Sequence, residues 1–151
     1  FKRNEAEDYD FNNKLINDCL GMTKNINFDF ICKLYISTPL RRAKHIDFAI
    51  STISLFNSDC LIAVSEELSQ LYNHYPDGLK KINNKVEKIR FERDSVYKEN
   101  GSIYIYKNES LKKNKDDLII GHIKMLPEES IKLNTNFDFE ISQYLLSKLY
   151  K

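Results

Sequence analysis

What this chain lacks narrows it first. With 23 basic and 22 acidic residues its net charge is only +1, so no strong field points to nucleic acid or to an anionic membrane. No apolar run approaches the roughly 20 residues that a membrane-spanning helix needs. The opening residues do not read as a secretory leader. The three cysteines, Cys19, Cys32 and Cys60, are odd in number and form no Cys-x-x-Cys pair. Each lies in an apolar run, which predicts buried free thiols in a reducing cytoplasm. Glycine is scarce: Gly21, Gly78, Gly101 and Gly121 are scattered, and none lies in a loop of the kind that cradles phosphates.

What remains is an ordinary globular composition, 42% hydrophobic and 30% charged over 151 residues. That predicts a single domain, residues 1–151, with a real core. A start at Phe1 instead of Met predicts a fragment or a processed product. Phe1 to Asp10 reads as a polar lead-in. Phe11, Leu15, Cys19 and Met22 have helical spacing. Phe28 to Ile36 is dense in strand formers and predicts an interior strand covered on both faces, stopped by Pro39. Ser37 to Arg41 then sits past a strand's carboxyl end, where open α/β sheets bind ligands; a plain strand-to-helix turn is the alternative. From Ala43, the stripe Ile46, Ala49, Ile50, Ile53 and Phe56 predicts a core-facing helix. Cys60 to Val64 reads as a second interior strand. Strand, helix, strand in this order predicts a right-handed βαβ unit and a parallel pair.

Ser65 to Lys88 fits neither period. It reads as an excursion, either an arm on a partner subunit or a long exposed loop, with a turn at Pro76-Asp77-Gly78. His74 there reads as a surface histidine. Val86 to Arg93 predicts a short helix or strand with solvated Lys88, Arg90 and Arg93. In Tyr97 to Tyr106, Asn100-Gly101 predicts a tight turn that tolerates a positive φ. A short buried strand follows, with Ile103 and Ile105 on one face and Tyr104 and Tyr106 on the other. Leu111 to Asp117 reads as a solvated connection. Leu118 to Leu126 predicts a further strand, in which Gly121 marks a bulge or a close backbone approach. His122 reads as a sheet histidine. Glu128 and Glu129 are neighbours in a turn, so they are expected to diverge into solvent. Thr135 and Asp138 have capping-box spacing. Phe137, Ile141, Tyr144, Leu145 and Leu149 then line one face of a C-terminal helix.

Several of these landmarks, taken in order, resemble one family. Ser37-Thr38-Pro39-Leu40-Arg41, Ala43-Lys44-His45-Ile46-Asp47, Val64-Ser65-Glu66, the Asn-Gly-x-Ile-Tyr stretch ending at Tyr104, and Leu126 to Asp138 are similar to motifs of the acylneuraminate cytidylyltransferases, the CMP-sialic acid synthetases. The resemblance covers about the C-terminal two-thirds of such a protein. It implies a Rossmann-like α/β nucleotidyltransferase with a mostly parallel sheet and flanking helices. It also implies a cytoplasmic homodimer, with an arm at about residues 65–88. The implied reaction joins CTP to a nine-carbon 2-keto sugar acid such as sialic acid, with Mg²⁺, and releases pyrophosphate. Arg90 would pair with the sugar carboxylate, Asn100 would hydrogen-bond the sugar, Tyr104 would line the pocket, and Tyr35 would be a further substrate-binding position.

The chain departs from the family in three places. The N-terminal phosphate-binding loop has no counterpart. Tyr35 stands where the family has a Gln ahead of the Ser37–Arg41 stretch, and Ile36 stands where it has Pro. Lys132 and Asn134 occupy the positions of a metal-binding Asp-x-Asp, leaving Asp138 as the candidate ligand. The alternative expectation is thus a non-catalytic relative, a structural, dimerising or sugar-binding module. On either reading one face or edge of the sheet is expected to be uncovered and apolar.

Overall fold

The computed structural model describes Gly21 and residues 27–82, 96–113 and 115–149. The expected helix over 11–22 (Gly21 apart), the thiol of Cys19 and the basic segment carrying Lys88, Arg90 and Arg93 lie outside the described residues.

The order along the chain is β1 (Phe30–Lys33), α1 (Ala43–Leu55), β2 (Cys60–Glu67), β3 (Tyr72–Tyr75), β4 (Gly78–Lys81), β5 (Val96–Lys107), β6 (Ile120–Lys124) and α2 (Asn136–Leu149), with short 3-10 turns between β5 and β6 and at Pro127–Glu129. The fold is α/β, as expected, but its sheet is mixed. Its strands run in the order β1-β5-β2-β6. β5 is antiparallel to β1 and to β2, and among the described strands only β2 and β6 form a parallel pair. The expected mostly parallel sheet is therefore corrected. The βαβ reading placed β1 beside β2; β5 inserts between them, because its Tyr104–Tyr106 stretch pairs on both sides. β1 is also shorter than expected. Among the described strands it is an edge, not an interior strand.

The core lies between the sheet and α1. Ala49 and Ile53 of α1 meet Leu61 and Ala63 of β2, Ile103 and Ile105 of β5, and Ile123 and Met125 in and after β6. The strand contributions alternate in sequence because successive side chains point to opposite faces. Each isoleucine fully buried here contributes about 1.5–3 kcal/mol. α1 packs across β6, β2 and β5. Its buried stripe is narrower than expected: Ile50 is partly exposed, and Phe56 is 71% exposed. Phe56 lies past the last helical residue, where Asn57 takes a left-handed φ of 49° and turns the chain away. Cys60 is buried as expected. Cys32 is exposed on β1, contrary to expectation, because an edge strand has a neighbour on one side only.

Two local predictions hold closely. A β-carbon at Gly121 would lie 2.7 Å from Ser58 Oγ, so this glycine permits a close approach. Pro76 and Asp77 turn the β3–β4 hairpin, where Gly78 has φ +118°. The hairpin is exposed at every position. No helix among the described residues is long and apolar enough to cross a membrane.

Candidate ligand cleft

Asn100 and Gly101 do not form the expected turn. They lie inside β5, at a break in its pairing with β2. Ile62 pairs with Tyr104 and Val64 with Glu99, so two steps along β2 face five along β5. Such a bulge re-aims side chains and is common beside functional sites. Gly101 carries the left-handed φ of +72° that the bulge requires.

The bulge is pinned from below. Arg41 Nη1 donates to Ser102 O at 2.7 Å, to Thr38 Oγ1 at 3.1 Å and to Tyr35 O at 3.3 Å. The Ser37–Arg41 loop after β1 therefore grips the bulged strand. Ser37 O in turn accepts Leu133 N–H at 2.8 Å, which ties the closing segment to the same loop. Asn100 is buried. Its Nδ2 donates to Ser130 Oγ at 2.9 Å, and its Oδ1 accepts Ser102 N–H at 2.9 Å. Ser130 passes the chain on to Leu126 O.

Glu129 corrects another expectation. It is buried, not solvated, and Arg42, Lys44 at 3.6 Å and His45 Nε2 at 3.3 Å surround its Oε1. Its Oε2 accepts Leu126 N–H at 3.3 Å, because the 3-10 turn begun by Pro127 folds the side chain back on itself. Glu128 is exposed as expected. His45 Nδ1 accepts Arg42 N–H, so Nε2 carries the proton that faces Glu129. Burial, and then Lys44 and Arg42, pull the pKa of His45 down, keeping the imidazole neutral near pH 7. This cluster, with Glu129 and His45 at its buried centre, locks the start of the closing segment onto the start of α1.

Above these anchors lies a cleft of about 540 Å³. The end of β2 (Ser65 to Glu67), Leu68, the first half of β5 (Lys98 to Asn100) and the closing segment (Pro127, Ser130 to Lys132, Asn134, Asp138) line it. It sits at the carboxyl ends of the parallel strands β2 and β6, the usual place for a ligand in an α/β sheet. The structure thus brings Asn100, Lys132, Asn134 and Asp138 to one site. Arg90 lies outside the described residues.

Tyr35 and Tyr104 form a neighbouring pair. Their rings meet edge to face with centroids 5.6 Å apart. Lys33 Nζ lies 4.4 Å from the Tyr104 ring centroid and 5.0 Å from that of Tyr35. The Tyr104 hydroxyl donates to Glu99, a cleft residue, across the bulge. Burial and then Glu99 push its pKa well above the ordinary phenol value.

Asp138 and Thr135 form the expected capping box at the start of α2. Asp138 Oδ2 accepts from Thr135 N at 2.8 Å, Thr135 Oγ1 at 2.9 Å and Asn134 N at 3.0 Å, and Thr135 Oγ1 accepts Asp138 N–H at 3.2 Å. The Thr135 hydroxyl and these backbone donors hold the carboxyl below the usual carboxylate range. That commitment bears on Mg²⁺. A hard divalent cation favours clustered carboxylates, whereas the closing segment offers an ammonium at 132, an amide at 134 and a carboxylate already spent on a helix cap. The donors of the closing segment do not fit Mg²⁺.

Sequence reasoning did not single out Lys98 and Glu67. Lys98 is exposed and Glu67 half-buried at the end of β2, and nothing in their local pattern separates them from solvated strand residues. No protein-family model and no curated protein matches this chain.

Proposed function

We propose that this chain is a relative of the acylneuraminate cytidylyltransferases, with a Rossmann-like nucleotidyltransferase ancestry, and that its cleft holds a nine-carbon 2-keto sugar acid to receive the cytidylyl group of CTP. One observation carries this reading. Residues chosen for their resemblance to separate motifs, Ser65, Glu66, Asn100, Ser130, Lys132, Asn134 and Asp138, line a single cleft although they span more than 70 positions. In the reaction, the sugar's anomeric oxygen bonds to the α-phosphorus of CTP as the bond to pyrophosphate breaks. The chain's part is positioning and charge neutralisation. Asn100 offers its remaining amide hydrogen to a sugar hydroxyl, Tyr104 orients Glu99 at the cleft wall, and Arg90 pairs with the carboxylate. The exposed β3–β4 hairpin fits a homodimer contact, since an isolated two-stranded hairpin is marginal in water. A cytoplasmic location suits an enzyme that uses CTP.

A second reading, sugar-acid binding without turnover, is favoured by Lys132 and Asn134 at the metal positions and by the commitment of Asp138. Pyrophosphate release decides between them. The folded chain is incubated with CTP, Mg²⁺ and a panel of nine-carbon 2-keto sugar acids. Release above a heat-killed control establishes the transferase. Binding of a sugar acid without release leaves the binding module, and the absence of both release and binding removes both readings.

A further inference from the structure

The cleft's charges are paired unevenly, and this deepens the reading just given, on which it rests. Four carboxylates line the cleft, and each already accepts from its own wall. Glu66 Oε2 takes Lys124 Nζ at 3.0 Å. Glu67 Oε1 takes Ser69 N–H at 2.8 Å. Glu99 takes the Tyr104 hydroxyl, and Asp138 takes the cap donors. The two lining ammonium groups differ from them. Lys98 lies in the field of Glu67. Lys132 is exposed, and among the described residues no acceptor or carboxylate pairs with it. It stands between Ile131, a lining residue, and Leu133, whose backbone N–H is fixed to Ser37 O, so the backbone that carries this cation is held in place.

We propose that Lys132 binds an oxyanion of the ligand, a phosphate or a carboxylate, directly and without a divalent cation. The lining carboxylates keep their charge but, among the described residues, no three stand together as a group that could hold a metal ion, while one unpaired ammonium is offered to an anion, and the surrounding hydroxyl, amide and carboxylate groups suit a hydroxyl-rich body. The positive charge that a metal would bring to this wall is supplied by the chain itself.

The test uses the full chain in EDTA, with two separate probes: inorganic pyrophosphate, and a nine-carbon 2-keto sugar acid compared with its neutral carboxamide. Binding is followed by calorimetry and by amide shifts at Asn100, Ser130 and Asn134. We expect at least one anion to bind with shifts at these amides. Lys132→Gln should then weaken that binding about tenfold or more, and Lys132→Arg should largely restore it. Because residue 132 is exposed, neither variant disturbs the core. Equal affinity in Lys132→Gln, binding that appears only with Mg²⁺, or no cleft shifts with either anion overturns the proposal. Pyrophosphate bound through Lys132 with no sugar acid bound sustains the proposal and removes the sugar-acid reading. A sugar acid bound in the cleft but indifferent to Lys132→Gln does the reverse.

Discussion

From Tyr104 to Tyr106, β5 is paired on both sides, with β1 and with β2, and its neighbours Ile103 and Ile105 are fully buried. From Val96 to Glu99 the same strand pairs, among the described strands, with β2 alone, and its side chains are mostly exposed or line the cleft. The bulge at Asn100-Gly101 divides the two halves. One half is held by burial, the other by its pairing with β2, and the bulge between them by Arg41 on Ser102 O and Asn100 on Ser130. A single strand thus serves as core at one end and as cleft wall at the other. The difference follows from which neighbours each end meets.

The largest expected effect lies in the buried half. Ile103→Ala should cost about 2–5 kcal/mol in urea denaturation, through lost burial and a residual cavity. Tyr97→Ala in the exposed half, where the ring is 43% exposed and stacks on His122, should cost less than about 1 kcal/mol. Similar losses at the two sites would break the division.

The boundary itself should respond less than the core. Gly101→Ala places a side chain at φ +72° and should cost about 1–2 kcal/mol. Its β-carbon meets only Tyr104 Oη, at 3.9 Å, so backbone strain and not a clash sets the cost. The variant should also weaken ligand binding in the cleft more than Tyr97→Ala does. A Gly101→Ala protein as stable and as competent as wild type would mean that the bulge is not what shapes the wall.

The last effect, read on acidification, concerns the far end of β5. Asp59 O accepts Lys107 N–H at 3.0 Å, and the Asp59 carboxylate accepts from Ile119 N, Lys113 Nζ and Ser110 Oγ. The Ile119 backbone donor first, then Lys113 and Ser110, hold its pKa far below the ordinary range. A folded-state pKa below the unfolded value gives stability that is fully present above about pH 4 and is lost as pH falls toward the folded value. Acid titration of unfolding free energy should therefore show a fall below about pH 4 that is shallower in Asp59→Asn. An unchanged acid limb would assign the loss to other carboxylates.

Much of this architecture was legible because it is local. The stripe of α1 (Ala49, Ile53), the buried run of β2 and the alternation of Ile103 and Ile105 against Tyr104 and Tyr106 each follow from side-chain period. So do the Thr135–Asp138 cap, the turn at Pro76-Asp77 and the close approach at Gly121. Each depends on residues a few positions apart, where sterics and hydrogen-bond reach act directly.

The rest depended on partners far away in sequence. Strand order is decided by which strand can pair on both of its edges, and β5, distant from β1 and β2 in the chain, takes the place between them. The turn expected at Asn100-Gly101 became a bulge because β2 runs on to Glu67 and keeps β5 extended through it. Glu129 became buried because three basic groups from α1's first turn surround it across 84 or more positions. Sequence alone determined the two described helices, the buried Ala49 and Ile53 of α1 and the Thr135–Asp138 cap, since these need only neighbours, whereas Phe137 and Tyr144 of the face expected on α2 are exposed. The tertiary structure decided the sheet order, the buried carboxylate and the cleft, since long-range pairing and desolvation belong to no single segment.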